Sequence, residues 1–241
     1  MKRAYLIEMT IFRDYFKQLM GVGCFVAVFV SMGMGTIVAA PAILTMMFFI
    51  LGTMAAATYD EQNNWGLYRL TLPVSRRDVV LARYGVIVTL GIGGMLLMSA
   101  ICAAVMAVAT AVKLPMGLSE ILAFDSDVAQ GMVFAVAFCM ALGALIASVE
   151  TPIYFKFGQN KTTQWIPMIT VLLFVGPMLI VNGTGILDNG AIPMEAIAQL
   201  LGFIETPAGV AASFGVAAAI AAVALGVSAA VSLKLYERRE L

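Results

Sequence analysis

The segment from Asp60 to Arg83 carries the groups in this chain best suited to gripping another macromolecule. Asp60 and Glu61 open it, and Trp65 and Tyr68 follow three residues apart, sharing a helical face with Leu72 four further on. Pro73 stops that stretch, and Ser75 before Arg76, Arg77 and Asp78 is suited to cap a new helix. The chemistry is contact rather than bond-making. Aromatic rings and arginines dominate interface energetics when buried against a partner. The same residues equally suit a membrane-surface loop, with the rings in the interfacial belt and the arginines on lipid phosphates.

Groups for covalent catalysis are scarce. The chain has no histidine, which removes the HExxH metal site, the Ser-His dyad and the commonest general base. The nearest approach to a phosphate-binding loop, Gly158-Gln-Asn-Lys161-Thr162, lacks both the leading glycine and the one before lysine. Cys24, Cys102 and Cys139 have no CxxC pairing and fall in apolar runs, as small packing residues do. No catalytic residue, metal site or cofactor is therefore expected on this chain.

The elements that must position the 60–83 segment follow from where charge is absent. Of the 241 residues, 62% are hydrophobic and only 12% charged, half the charged share usual for a soluble domain. Asp, Glu, Lys and Arg are missing from 18–59, 84–112, 128–149, 162–187 and 206–233. Each stretch exceeds the roughly 20 residues a helix needs to cross hydrocarbon. The first is long enough for two crossings, with Gly33, Gly35 and Pro41 near its middle to turn the chain. Backbone groups must be satisfied internally in lipid, and no run alternates as barrel strands do. The expectation is an all-α polytopic membrane protein forming one domain over 1–241. Its six spans are expected near 18–36, 40–59, 84–112, 128–149, 164–184 and 207–233.

Residues 1–17 read as an interfacial helix, not a signal peptide, because Glu8, Arg13, Asp14 and Lys17 interrupt any apolar core. Tyr5, Met9, Phe12, Phe16 and Leu19 form its apolar face, expected to rest on the membrane. With the N-terminus inside, thirteen of the fourteen Lys and Arg lie on the inner side, Lys113 alone being outside. That asymmetry places both termini in the cytoplasm, with 60–83 and 150–161 as inner loops. The outer segment 185–206 is apolar around 191–204 yet too short to span. In the last span Ala218, Ala222, Gly226 and Ala230 form a small-residue ridge suited to close helix approach, more often within a chain than between chains.

The order Asp60-Glu61, Trp65, Tyr68, Leu72-Pro73-Val74-Ser75-Arg76, Val80, Arg83-Tyr84 resembles the first inner loop of the ABC-2 family of permeases. The likeness is closest to small bacterial members whose ATPase is encoded separately. Pro152–Lys161 is similar to their second inner loop, although relatives often place a basic residue where this chain has Thr162 and Thr163, and Tyr236–Glu240 to their basic end. The resemblance implies a permease subunit of an exporter in a bacterial cell membrane, paired with a second permease copy or paralogue and with two ATPase subunits that hold ATP and magnesium. It implies a coupling helix at 60–77, whose contacts to the ATPase would be Asp60, Glu61, Trp65, Tyr68, Leu72, Pro73, Ser75, Arg76 and Arg77. Lys156 and Lys161 would add a second contact, and 185–206 would hold a short re-entrant helix.

The seventeen methionines and many small residues suit a path for an apolar or amphipathic cargo such as a lipid, peptide or drug. Membrane lipid is an expected partner and nucleic acid is not. Two rivals remain, a non-transporting anchor or sensor subunit and an ion-coupled carrier. The carrier is disfavoured because the charge-free stretches hold no ionisable group near the midplane.

Overall fold

The computed structural model describes residues 2–61, 68, 71–111, 122, 125–158 and 202–237, with single residues at 168, 171, 172, 175, 176, 179, 183 and 199. It is helical, with five long elements: α1 Lys2–Met34, α2 Ala39–Glu61, α3 Arg76–Ala111, α4 Ser126–Phe157 and α5 Pro207–Glu237. All five are long and apolar enough to cross a membrane. They match five of the six expected spans. The expected crossing at 164–184, the tip of 60–83 and most of 185–206 lie outside the described residues.

Three helix ends extend beyond the charge-free runs for one physical reason. Residues 1–17 and 18–36 were expected as separate pieces, yet α1 runs unbroken from Lys2 to Met34. Likewise the inner loops 60–83 and 150–161 give up 76–83 to the start of α3 and 150–157 to the end of α4. Charge marks where lipid ends, whereas a helix stops only where its backbone hydrogen bonds do. Gly158 supplies that stop for α4: its φ of 81° is one that side chains avoid, and its N–H bonds the Tyr154 carbonyl at 2.9 Å. Between α1 and α2, Gly35 turns the chain with φ 65°.

The apolar face of 1–17 also has a different partner from the one expected. Phe12 is buried with Ala55, Ala56, Val86 and Leu90, and Tyr5, Met9 and Phe16 pack around them. Tyr5 Oη lies 3.0 Å from Thr89 Oγ1. This face therefore packs on α2 and α3, with Met9 and Phe16 half-buried at its edge. The reason is that α2 and α3 present apolar surface, and a buried cation, that α1 covers.

At the centre α2 packs between α3 and α4, α5 lies on α4, and α1 leans on α2 and α3. Phenylalanines of α2 are seated on glycines of α3. A Cβ at Gly94 would strike the root of the Phe48 ring, and one at Gly91 the tip of the Phe49 ring. Gly93, between them, would meet nothing within 4 Å. Gly94→Ala is expected to cost about 1–3 kcal/mol by overpacking, and Gly91→Ala less because a ring tip can swing aside. Gly93→Ala should be neutral or gain up to about 1 kcal/mol from helix propensity. Thermal unfolding of the three variants in detergent checks the order; equal melting points would refute this packing.

Candidate functional site

The chemistry collects at the end of the bundle where α1 and α3 begin and α2, α4 and α5 finish. Arg83, in the second turn of α3, is 1% exposed. Its Nη2 donates to Asp60 Oδ2 at 2.8 Å and to Glu8 Oε1 at 3.2 Å. Asp60 Oδ2 also accepts from the Tyr154 hydroxyl at 2.5 Å, and the guanidinium lies 5.7 Å from the Tyr154 ring centroid. One buried cation thus ties α1, α2, α3 and α4 together. The arrangement is electrostatically enforced: Glu8 and Asp60 are themselves buried, and an enclosed carboxylate is tolerated only with a cation or several donors beside it.

Ser75 caps α3 as its position suggests, its Oγ accepting from the Asp78 N–H at 3.1 Å and donating to Asp78 Oδ2 at 2.9 Å. Arg76 turns to α5. Its Nη1 donates to the carbonyls of Tyr236 and Glu237, each at 3.2 Å, and its guanidinium lies 5.9 Å from the Tyr236 ring centroid. Those carbonyls belong to the last turn of α5, where a helix lacks partners of its own and a cation is favoured. Phe155 of α4 packs on the other side of this end, its ring 5.1 Å from that of Tyr236. The exit of the 60–75 segment is therefore fastened to the last helix and, through it, to α4.

Of the remaining expected contact residues, Tyr68, Pro73, Arg77 and Lys156 are exposed and Leu72 half-buried. Lys156 lies over the ring of its neighbour Phe157 at 4.9 Å. Trp65, Lys161 and the Glu61 side chain lie outside the described residues. Asp60 turns inward to Arg83, so within the segment Asp60 and Arg76 bind the bundle while Tyr68 and Arg77 are exposed, and Lys156 is exposed near the end of α4.

A second polar seam joins α3, α4 and α5. Pro152 has no N–H, which frees the Ser148 carbonyl four residues earlier in α4. Ser228 Oγ of α5 donates to that carbonyl at 2.5 Å. Its one proton is then committed, so Tyr84 Oη must donate to Ser228 Oγ at 2.6 Å and accept from Ser232 Oγ at 2.8 Å. The chain of bonds runs in one direction and satisfies the carbonyl that proline strands. Close by in sequence, Glu150 is fully enclosed and its carboxyl oxygens have no hydrogen-bond partner among the described residues.

Sequence reasoning missed Glu8, Arg83, Tyr154 and the Tyr84–Ser228–Ser232 seam. One signal was available. Glu8 sits three after Tyr5 and four before Phe12, on the apolar face itself, where a carboxylate requires a buried partner.

Comparison with known protein families matches residues 8–237 to the model described as ABC-2 family transporter protein. That match takes in α2 to α5 and α1 from Glu8 onward. The chain belongs to the ABC-2 transporter family. No curated protein and no solved structure matches it. ABC-2 permeases are membrane transport components that generally work with an ATP-binding partner. In this ABC-2 protein Asp60 and Arg76 hold the two ends of the 60–77 segment to the helices, and Tyr68 and Arg77 are exposed.

Proposed function

We propose that this chain is the permease subunit of an ATP-binding cassette exporter in a bacterial cell membrane, working as a pair with two separate ATPase subunits. The observation that carries the proposal is the family match over 8–237, joined to the way the ends of the 60–77 segment are anchored. In this reading both termini lie in the cytoplasm and the ATPases bear on Trp65, Tyr68 and Arg77, with Lys156 and Lys161 alongside. A displacement of that segment is passed to α2 through Asp60, to α3 through Arg83, to α1 and α4 through Glu8 and Tyr154, and to α5 through Arg76. The four inner helix ends move together because breaking their shared buried cation is costly. Closure of the ATPases on ATP and magnesium would rock the bundle between its two open states.

The cargo in this reading is apolar or amphipathic. A groove of about 500 Å³ between α3 and α5 supports it, lined by Val88, Ile92, Met140, Ala218, Leu225 and Ala229. The small-residue ridge of α5, at Ala218, Ala222, Gly226 and Ala230, is exposed and borders this groove in part. It does not serve packing among the described helices.

Glu150 is the observation that favours an ion-coupled carrier, since an enclosed carboxyl in a membrane helix is a default functional group. It stands seven residues from the end of α4, about 10 Å along the helix and short of the midplane, which leaves the carrier the lesser reading. Purified protein is expected neither to bind nor to hydrolyse ATP by itself, and to alter the rate of its partner ATPase once reconstituted. Vesicle export should stop with a catalytically dead ATPase and continue with an uncoupler. The reverse pattern would establish the carrier instead.

A further inference from the structure

Beside the buried face of α1 runs a groove of about 340 Å³ that neither the ion-pair hub nor the proposed coupling uses. Its floor is apolar, formed by Met9, Phe12 and Phe16 of α1 and by Leu90 of α3, with Leu6 at one end. Its rim carries two cations, Arg13 and Lys17, one helical turn apart and both exposed. Sequence places this groove at a particular depth. The apolar stretch of α1 begins at Tyr15, between the two cations, so they stand where hydrocarbon gives way to headgroups. Leu90 lies inside the apolar stretch of α3, a level that water-soluble protein does not reach.

We propose that this groove is a binding site for an anionic phospholipid, its phosphate on Arg13 and Lys17 and the upper part of one acyl chain along Met9, Phe16 and Leu90. Charge complementarity selects the headgroup: two cations within one turn attract a phosphate, and a zwitterionic headgroup brings its own cation to the same place. The apolar floor selects a lipid over a free anion, because a soluble phosphate leaves that surface exposed to water. The consequence is local. A lipid seated here would brace the N-terminal half of α1 against α3, beside the Glu8–Arg83 pair.

The test uses the full chain purified in mild detergent, with phosphatidylglycerol and phosphatidylcholine of identical acyl chains added at equal concentration. Bound lipid is counted by native mass spectrometry. Phosphatidylglycerol should be retained in preference, and Arg13→Gln/Lys17→Gln should reduce its adducts about tenfold or more. The matched variant Lys2→Gln/Arg3→Gln removes the same charge outside the groove and should retain them. Glycerol 3-phosphate, the headgroup fragment without chains, should not compete at the same concentration. Measured without added lipid, the thermal stability of both variants should stay at the wild-type value, since all four side chains are exposed. Equal retention of the two lipids, equal loss in the two variants, or competition by glycerol 3-phosphate would each overturn the site. No arm involves ATP, an ATPase or a cargo, so the exporter reading can fail while this site stands, and the reverse.

Discussion

Arg83→Met should be the most damaging single replacement in the chain, lowering stability by about 3–5 kcal/mol, the usual cost of stranding a buried charge. Two enclosed carboxylates, Glu8 and Asp60, depend on this guanidinium at 3.2 and 2.8 Å. Asp60 would retain the Tyr154 hydroxyl, whereas Glu8 would lose the bond to α3. Arg83→Lys should recover only part of the loss, because the shorter lysine does not carry its ammonium to the point where the single nitrogen Nη2 meets both acids. The informative control is the triple variant Glu8→Gln/Asp60→Asn/Arg83→Met. With both acids neutral, most of the stability should return, since replacing a whole buried ion pair is far cheaper than breaking it. Folded yield and melting temperature in detergent check the series. A wild-type melting point for Arg83→Met would mean the hub holds nothing together.

The second large effect concerns coupling, and the geometry separates two adjacent arginines for it. Trp65→Ala, Tyr68→Ala and Arg77→Ala are expected to weaken ATPase association by about thirtyfold each, the equivalent of roughly 2 kcal/mol for a truncated interface anchor. Membrane level and melting temperature should hold for Tyr68→Ala and Arg77→Ala, whose side chains are exposed, because such substitutions usually cost under about 0.5 kcal/mol. Arg76→Ala should behave in the opposite way, lowering the melting temperature through loss of its bonds to the last turn of α5. Its expected loss is about 1–3 kcal/mol for hydrogen bonds from a charged donor. Copurification with the ATPase, vesicle export and thermal unfolding, measured on all four variants, resolve the two roles. If the first three variants keep the ATPase and export normally, the segment is only a membrane-surface element. Should Arg76→Ala melt as wild type and lose the ATPase, Arg76 belongs to the docking group.

Much of this protein is fixed at the level of composition and charge spacing. Charge-free runs long enough to cross lipid can be satisfied in one way, by helices that close their own backbone bonds. So the helical class, five helices long and apolar enough to cross, and the turn at Gly35 are legible from residue types alone. The cap at Ser75 is equally legible, because it depends on neighbours three residues apart. What the charge-free runs alone misplaced were helix ends: α1 runs unbroken from Lys2 and α4 continues through Pro152 to Phe157, whereas the start of α3, eight residues before its charge-free run, is the one the Ser75 cap marks. Backbone hydrogen bonding does not stop at a charge.

The pairings were decided by the tertiary structure alone. Arg76 and Arg77 are the same residue type in the same loop, yet one caps α5 and the other faces outward, and only the position of Tyr236, 160 residues away, distinguishes them. Glu8, Asp60 and Arg83 read as unrelated charges at the edges of three apolar runs. In the folded chain they share one site because the low-dielectric interior makes an unpaired charge intolerable, so the packing of α1 on α2 and α3 must bring opposite signs together. Ser228 gives no sequence signal either, since its role exists only where α5 passes the carbonyl that Pro152 leaves open. Local rules specify which segments are helices. Which helix satisfies another's stranded group is specified by their contact, and that contact is what joins the loop at 60–77 to the rest of the bundle.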